Sequence, residues 1–379
     1  MKKLLGSFLL SVCFFSMFAQ VGGSRRTVLN EKSASSKAID VKKGSLATPV
    51  KNQQKTNTCW AFSTTSLLES QALRYNSMFD LSEMYIVRNI YIEKAKNYIL
   101  RQGKTQFSEG ALGHDLIRAV SGYGAMPENI YTGLTGGSSE YDHSSMVADL
   151  KRYLDTVLIK VPVPADWLTG YVRILNKSMG TPPSTFSYND KNYTPQSFSK
   201  EVMRFNANDY VNITSFMHHP FYQSFILEVP DNFSNGSYYN LPVAEMLDVI
   251  KFALNHGYTV MWDGDVSNSG FQPSSGYALY QTKKPFGDSS INLTNELSWS
   301  DTARQRMFEQ LITQDDHLMH IVNMEMKDGK NFFNVKNSWG ENGPFKGYIK
   351  ASEAYLAINT ISIILPRTAL SKALQEKIR

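Results

Sequence analysis

Cysteine is nearly missing from this chain: among 379 residues only Cys13 and Cys59 occur. Cys13 falls in the opening stretch MKKLLGSFLLSVCFFSMFAQ, where two lysines precede an apolar run, the pattern of a secretory signal peptide cleaved near Ala19 or Gln20. A lipoprotein reading of Leu10 to Cys13 is disfavoured because Val12 is bulky where a small residue is required. The exported chain, periplasmic or extracellular, would keep one thiol and no internal disulfide. Beyond the leader no segment approaches the ~20 consecutive apolar residues of a membrane-spanning helix. A strong excess of one charge is also lacking: 39 Lys and Arg stand against 34 Asp and Glu, dispersed along the sequence, which argues against a nucleic-acid partner. No repeat of 20 to 50 residues is found.

What is present divides into segments: a signal peptide at 1–19, a Ser/Lys/Gly-rich arm at 20–46, a helical half at 47–150, an insertion at 151–240, a second half at 241–365 and a polar tail at 366–379. Residues 58–75, TCWAFSTTSLLESQALRY, lack Gly and Pro and carry Trp60, Phe62, Leu67, Leu68 and Leu73, predicting a helix capped by Asn57 or Thr58. Helical patterns follow at 82–102 and 112–122. The insertion is broken by Pro162, Pro164, Pro182, Pro183, Pro195, Pro220 and Pro230 into short aromatic pieces laid against a core. Regular patterns return with a helix at 243–256, a strand at 258–266, a helix at 299–312 and a hairpin.

Cys59 opens the first predicted helix, where unpaired amides and the helix dipole favour negative charge and lower a thiol pKa. Six residues earlier, Gln53 stands where its side-chain N–H and the Cys59 amide would flank a developing oxyanion; Gln54 competes for that role.

The segment HLMHIVNMEMKDGKNFFNVKNSWG holds two apolar runs joined by Asp328 and Gly329, the signal of a two-residue turn. Pairing outward from that turn sets His320 opposite Asn337, close enough for the amide to orient an imidazole. His317, three residues away on the same strand, then points to the other face and reads as a surface or cap histidine. Trp339, two positions beyond Asn337, would shield that pair from water. Cys59, His320 and Asn337 would thus supply nucleophile, base and orienter, with a thiolate and an imidazolium as the resting pair.

These residues resemble a known family. TPVKNQQKTNTCWAFS at 48–63 looks like the nucleophile motif of papain-like cysteine peptidases, Leu81, Ser82 and Glu83 look like their LSE segment, and NSWG at 337–340 followed by GYI at 347–349 looks like their asparagine motif. GTPPSTF at 180–186, TPQSF at 194–198, NDYVNI at 208–213 and GDV at 264–266 resemble the bleomycin hydrolase and aminopeptidase C branch. The resemblance implies an α+β, papain-like two-subdomain fold: a helical half carrying Cys59 and an antiparallel, β-barrel-like half carrying His320 and Asn337. It implies peptide substrates, no metal and no organic cofactor. Gly110 and Ala111 match positions that bind substrate backbone, where the family usually has two glycines, and Trp339 is grouped with them at the substrate site.

The resemblance also implies a homo-oligomer, a hexamer joined by an N-terminal arm. Only residues 20 to 58 would precede Cys59 here, a shorter arm, which argues against that hexamer. Branch members end with a short terminus reaching into the cleft to receive the substrate's amino group, whereas LPRTALSKALQEKIR runs on as a polar helical tail, a departure from that branch. The reading is hydrolysis of peptide bonds through a thioester on Cys59, as an aminopeptidase or oligopeptidase of the bleomycin hydrolase type. The alternatives are an endopeptidase of papain-like specificity, an inactive papain-fold peptide-binding protein, and an acyltransferase using the same thioester.

Overall fold

The structure, a computed structural model, describes residues 47–281 and 296–378. The signal peptide and the arm expected at 1–46 lie outside the described residues. No described helix is long and apolar enough to cross a membrane.

Helices dominate the first part: α1 (Cys59–Arg74), α2 (Glu83–Leu100), α3 (Gly113–Tyr123), α4 (Ser144–Leu158) and α5 (Trp167–Met179). A small hairpin, β1 (Phe186–Tyr188) with β2 (Lys191–Tyr193), and the short turn α6 (Pro195–Ser197) follow. Next come β3 (Tyr210–Thr214), β4 (Ser224–Ile226), β5 (Ser237–Asn240), α7 (Val243–Asn255), β6 (Val260–Gly264), β7 (Phe271–Gln272) and β8 (Tyr277–Ala278). The chain closes with α8 (Asp301–Glu309), β9 (His317–Lys327), β10 (Lys330–Lys336), β11 (Tyr348–Ser352), α9 (Glu353–Asn359), β12 (Thr360–Pro366) and α10 (Lys372–Lys377).

The helix α1 is buried almost all round, polar Ser63, Thr64, Ser66 and Glu69 included, as a central helix must be. Its polar groups are paired rather than solvated: Glu69 accepts from the Thr48 hydroxyl at 2.5 Å and from the Leu81 amide at 2.9 Å. Ser82 caps α2 by accepting from the Tyr85 amide at 3.1 Å, which explains the helix start that the sequence places there.

The sheet has ten strands in the order β4-β5-β3-β12-β6-β9-β10-β11-β8-β7. It is mixed, since β3 pairs with β5 and β11 with β8 in parallel, and no closed barrel forms among the described residues, so the antiparallel barrel expected for the second half is replaced by an open sheet. The insertion does more than lie on the core. Its alternating stretch Tyr210–Thr214 buries Val211 and Ile213 and adds β3 to β12, with β5 and β4 beyond it. Around this sheet, α7 and α9 cover a core that includes Trp262, Phe333, Val335 and Tyr355, while a second apolar cluster fills the space between α1, α2, α3 and the 151–240 segment.

Candidate active site

Asn52 bridges Trp339 and the Gln53 amide donates to the Ser338 carbonyl at 2.8 Å, so the approach to α1 is tied to the segment after β10. Cys59 follows at once as the first residue of α1. Neither expected cap is made. Thr58 has no side-chain cap bond, its hydroxyl instead meeting that of Thr56 at 2.6 Å, and the first-turn amides beside Cys59 stay uncapped by side chains. Gln53 is buried and held at both ends: its Nε2 donates to the Thr56 carbonyl at 2.6 Å and its Oε1 accepts from the Ser338 hydroxyl at 2.6 Å. An amide nitrogen carries two hydrogens, so one remains to point into the cleft that Gln53 lines with Cys59. Gln54 turns away, in a left-handed conformation with its side chain on Tyr141 and Ser139.

The hairpin corrects the expected base. Asp328 and Gly329 do form the turn, both with positive φ, and pairing follows the expected register from Lys330 with Lys327 to Asn334 with Asn323. A bulge then intervenes. Val335 pairs with Ile321, leaving Val322 as an extra residue, and Lys336 takes the place opposite His320. One extra residue exchanges the faces of everything beyond it. His320 now shares a face with Lys336, and His317 comes onto the face of Asn337, whose Oδ1 lies 2.8 Å from His317 Nε2. His317, read from sequence as a surface or cap residue, is buried at the cleft, and His320 does not meet Asn337.

Asn337 Oδ1 also accepts from the Ser338 amide at 2.7 Å, which identifies that atom as the acceptor and the His317 nitrogen facing it as N–H. The neutral ring then carries its lone pair on Nδ1. Trp339 stacks on His317 with centroids 4.6 Å apart and rings 30° from parallel; it covers the imidazole and is not among the residues lining the cleft, contrary to the substrate-contact role expected for it.

His320 sits in a separate small chamber of about 10 Å³ bounded by Ser66, Glu69, Lys51 and Lys336. Its Nδ1 meets Ser66 Oγ at 2.9 Å, and Lys336 Nζ reaches Ser66 at 2.8 Å and Thr48 at 3.1 Å. Burial, and then the Lys336 ammonium, push its pKa well below the ordinary histidine value, so the ring is neutral. It is not exposed at all and offers nothing to a substrate.

The cleft itself has a volume of about 210 Å³. Cys59, His317, Gln53, Gly110 and Ala111 line it, together with Asp231, Asp316 and Glu109. The Trp60 indole donates to the Glu109 carbonyl at 3.0 Å and pins the Gly110 wall beside the nucleophile. Gly110 leaves room for its neighbour: a Cβ there would run into the Asp231 carboxylate as it is placed. The second position, Ala111, carries its methyl group buried.

Burial raises the Cys59 thiol to about 12 despite a hydrogen bond from the Leu318 amide, and carboxylates at Asp315, Asp263 and Asp231 push the same way. The lowering expected from the helix start is outweighed. Burial also brings His317 down to about 4, with the Asn337 hydrogen bond opposing. Burial works against charge on both groups, and the pair shares one cleft. Ser338 and Asp231 were not singled out by sequence: a serine and a loop aspartate carry no pattern of their own, and only the folded contacts reveal them.

Residues 163–379 match the Peptidase C1-like family, and residues 35–93 match the papain family of cysteine proteases. Aminopeptidase G of Lactobacillus delbrueckii subsp. lactis is 25% identical over 378 residues, covering 86% of this chain and 83% of the relative. Aminopeptidase C of Listeria innocua serovar 6a is 25% identical over 382 residues, covering 86% and 82%. A crystal structure of PepW from Lactobacillus rhamnosis HN001 has the same fold, with a TM-score of 0.71 at 20% identity over 90% of this chain and 84% of that one. A cleft that joins a helix-start cysteine to a histidine held by asparagine, and a family match across more than half of the sequence, lead to one conclusion: the chain belongs to the Peptidase C1-like family of cysteine peptidases.

Proposed function

We propose that the protein is a cysteine aminopeptidase of the bleomycin hydrolase type, with Cys59 as nucleophile, His317 as base, Asn337 as orienter and Gln53 as oxyanion donor. The observation that carries the chemistry is the His317 to Asn337 hydrogen bond at the edge of the cleft that Cys59 lines. With Nε2–H committed to Asn337, Nδ1 takes the thiol proton as sulfur attacks the scissile carbonyl. The carbonyl oxygen becomes an oxyanion facing Gln53 Nε2–H and the Cys59 amide. The His317 imidazolium protonates the departing amine, leaving a thioester. Water, deprotonated by the same nitrogen, then releases the acid.

The names of the relatives support removal of residues from a free amino terminus. The leader at residues 1–19 supports action outside the cytoplasm on peptides. Mass-spectrometric mapping of products from a mixed peptide library, half of it N-acetylated, tests the reading. Stepwise loss of N-terminal residues from free peptides, with acetylated ones intact, is expected. Internal cleavage of acetylated peptides would make the enzyme an endopeptidase, and no turnover together with no selective alkylation of Cys59 would make it a binding protein.

A further inference from the structure

Three carboxylates line the cleft, and two of them are already served by backbone amides. Glu109 accepts from the Asn57 amide at 2.9 Å, and Asp316 accepts from the Val266 amide at 3.1 Å. Asp231, on the loop between β4 and β5, differs. The single side-chain donor close to it among the described residues is the Ser108 hydroxyl at 3.5 Å, and no described cation lies within 4.0 Å of it. The Lys94 ammonium acts on Asp231 through its charge from beyond 4.0 Å, while its hydrogen bonds go to the Gly110 carbonyl and, at 3.3 Å, the Ser108 hydroxyl, and it sits 5.3 Å above the Phe233 ring. Asp231 therefore presents a half-buried carboxylate with open acceptor positions, pressed against the Gly110 wall in the cleft that holds Cys59.

An aminopeptidase must recognise an ammonium group close to the reacting carbonyl, because the α-nitrogen of the residue under attack is only two bonds from that carbonyl carbon. An anion in the same small cleft meets this need, and a partly desolvated one gives charge-assisted hydrogen bonds of the strong kind. No residue of the segment 366–378 lines the cleft: Ile378 is buried in the core beneath the sheet, its carbonyl bonded by Arg367, and Lys377 lies over Tyr222.

We infer that Asp231 is the specificity-determining residue that receives the substrate's α-ammonium group and so confines hydrolysis to the first peptide bond. The assignment rests on the aminopeptidase reading above. It places the anchor on the 151–240 segment, apart from both elements that carry the nucleophile and base.

The test measures kcat/KM for leucine p-nitroanilide, its N-acetyl form and its desamino analogue, with the wild type, Asp231→Asn and Asp231→Glu. The wild type is expected to favour the free amine by at least 100-fold. In Asp231→Asn, KM for the free amine should rise at least tenfold with kcat within threefold, and the preference over the desamino analogue should fall at least tenfold. Asp231→Glu should recover part of it. Alkylation of Cys59 by iodoacetamide at the wild-type rate shows that fold and nucleophile are intact, and Asp231→Ser replaces Asp231→Asn if that variant does not fold. Wild-type preference for the free amine that persists in the folded variants overturns the inference and leaves the aminopeptidase reading standing. A wild type that turns over the acetylated substrate equally well overturns the reading itself, and the inference with it.

Discussion

Two imidazoles three residues apart on β9 occupy opposite kinds of surroundings. His317 is held at one nitrogen by Asn337, covered on one side by Trp339, and opens at the other nitrogen onto a cleft of about 210 Å³. His320 lies with Ser66 and the Lys336 ammonium, its second nitrogen buried with no hydrogen-bond partner among the described residues. Burial pushes the pKa of both below the ordinary histidine value. A neutral ring becomes a base only where one nitrogen is fixed and the other meets the reacting proton, so access and orientation separate the two histidines, and charge does not.

The contrast breaks most sharply by exchange of function. His317→Ala, like Cys59→Ala, should lower kcat/KM by about 10⁴-fold or more, whereas His320→Leu should leave it within about threefold and shift only the melting temperature. Loss of activity in His320→Leu with an unchanged melting curve would return the base to His320. Next in size, Gln53→Ala should cost about 10²- to 10³-fold in kcat with little change in KM, as removal of an oxyanion donor does. An equal effect from Gln54→Ala would sink that assignment. Asn337→Ala should cost about 10²-fold, and its pH profile sharpens the comparison further. Proton acceptance needs unprotonated His317, so kcat/KM should fall as pH drops through about 4 in the wild type. The Asn337 hydrogen bond raises that pKa, so the acid limb in Asn337→Ala should move lower. A limb that moves upward would mean that Asn337 does not face the ring.

Much of this was legible in the chain. The helix at 58–75, the two-residue turn at Asp328 and Gly329, and the meeting of Gln53 with Cys59 follow from period, turn chemistry and motif, which are local properties. The choice of histidine was not, for a physical reason. Residues 317–321 are all buried because β9 is covered on both faces, so the apolar run HLMHIV has no alternation from which a face can be read. The bulge at Val322 leaves no mark in such a run. The surroundings of the thiol were equally illegible: the helix start is written in the sequence, while the burial that pushes the thiol pKa up belongs to the assembled site. Asp231 was invisible because it meets the cleft beside Gly110, more than a hundred residues away in the chain.

The chamber behind His320 has a consequence for folding fidelity. Lys336 directly precedes Asn337, and its ammonium finds Ser66 and Thr48 only when β10 is paired as observed. An alignment that moved Lys336 off this face would forfeit both hydroxyl hydrogen bonds to its buried ammonium, each worth about 1.5–3 kcal/mol for a bond to a charged group. Those two hydroxyl bonds favour the alignment in which His317, and not His320, is offered to Asn337.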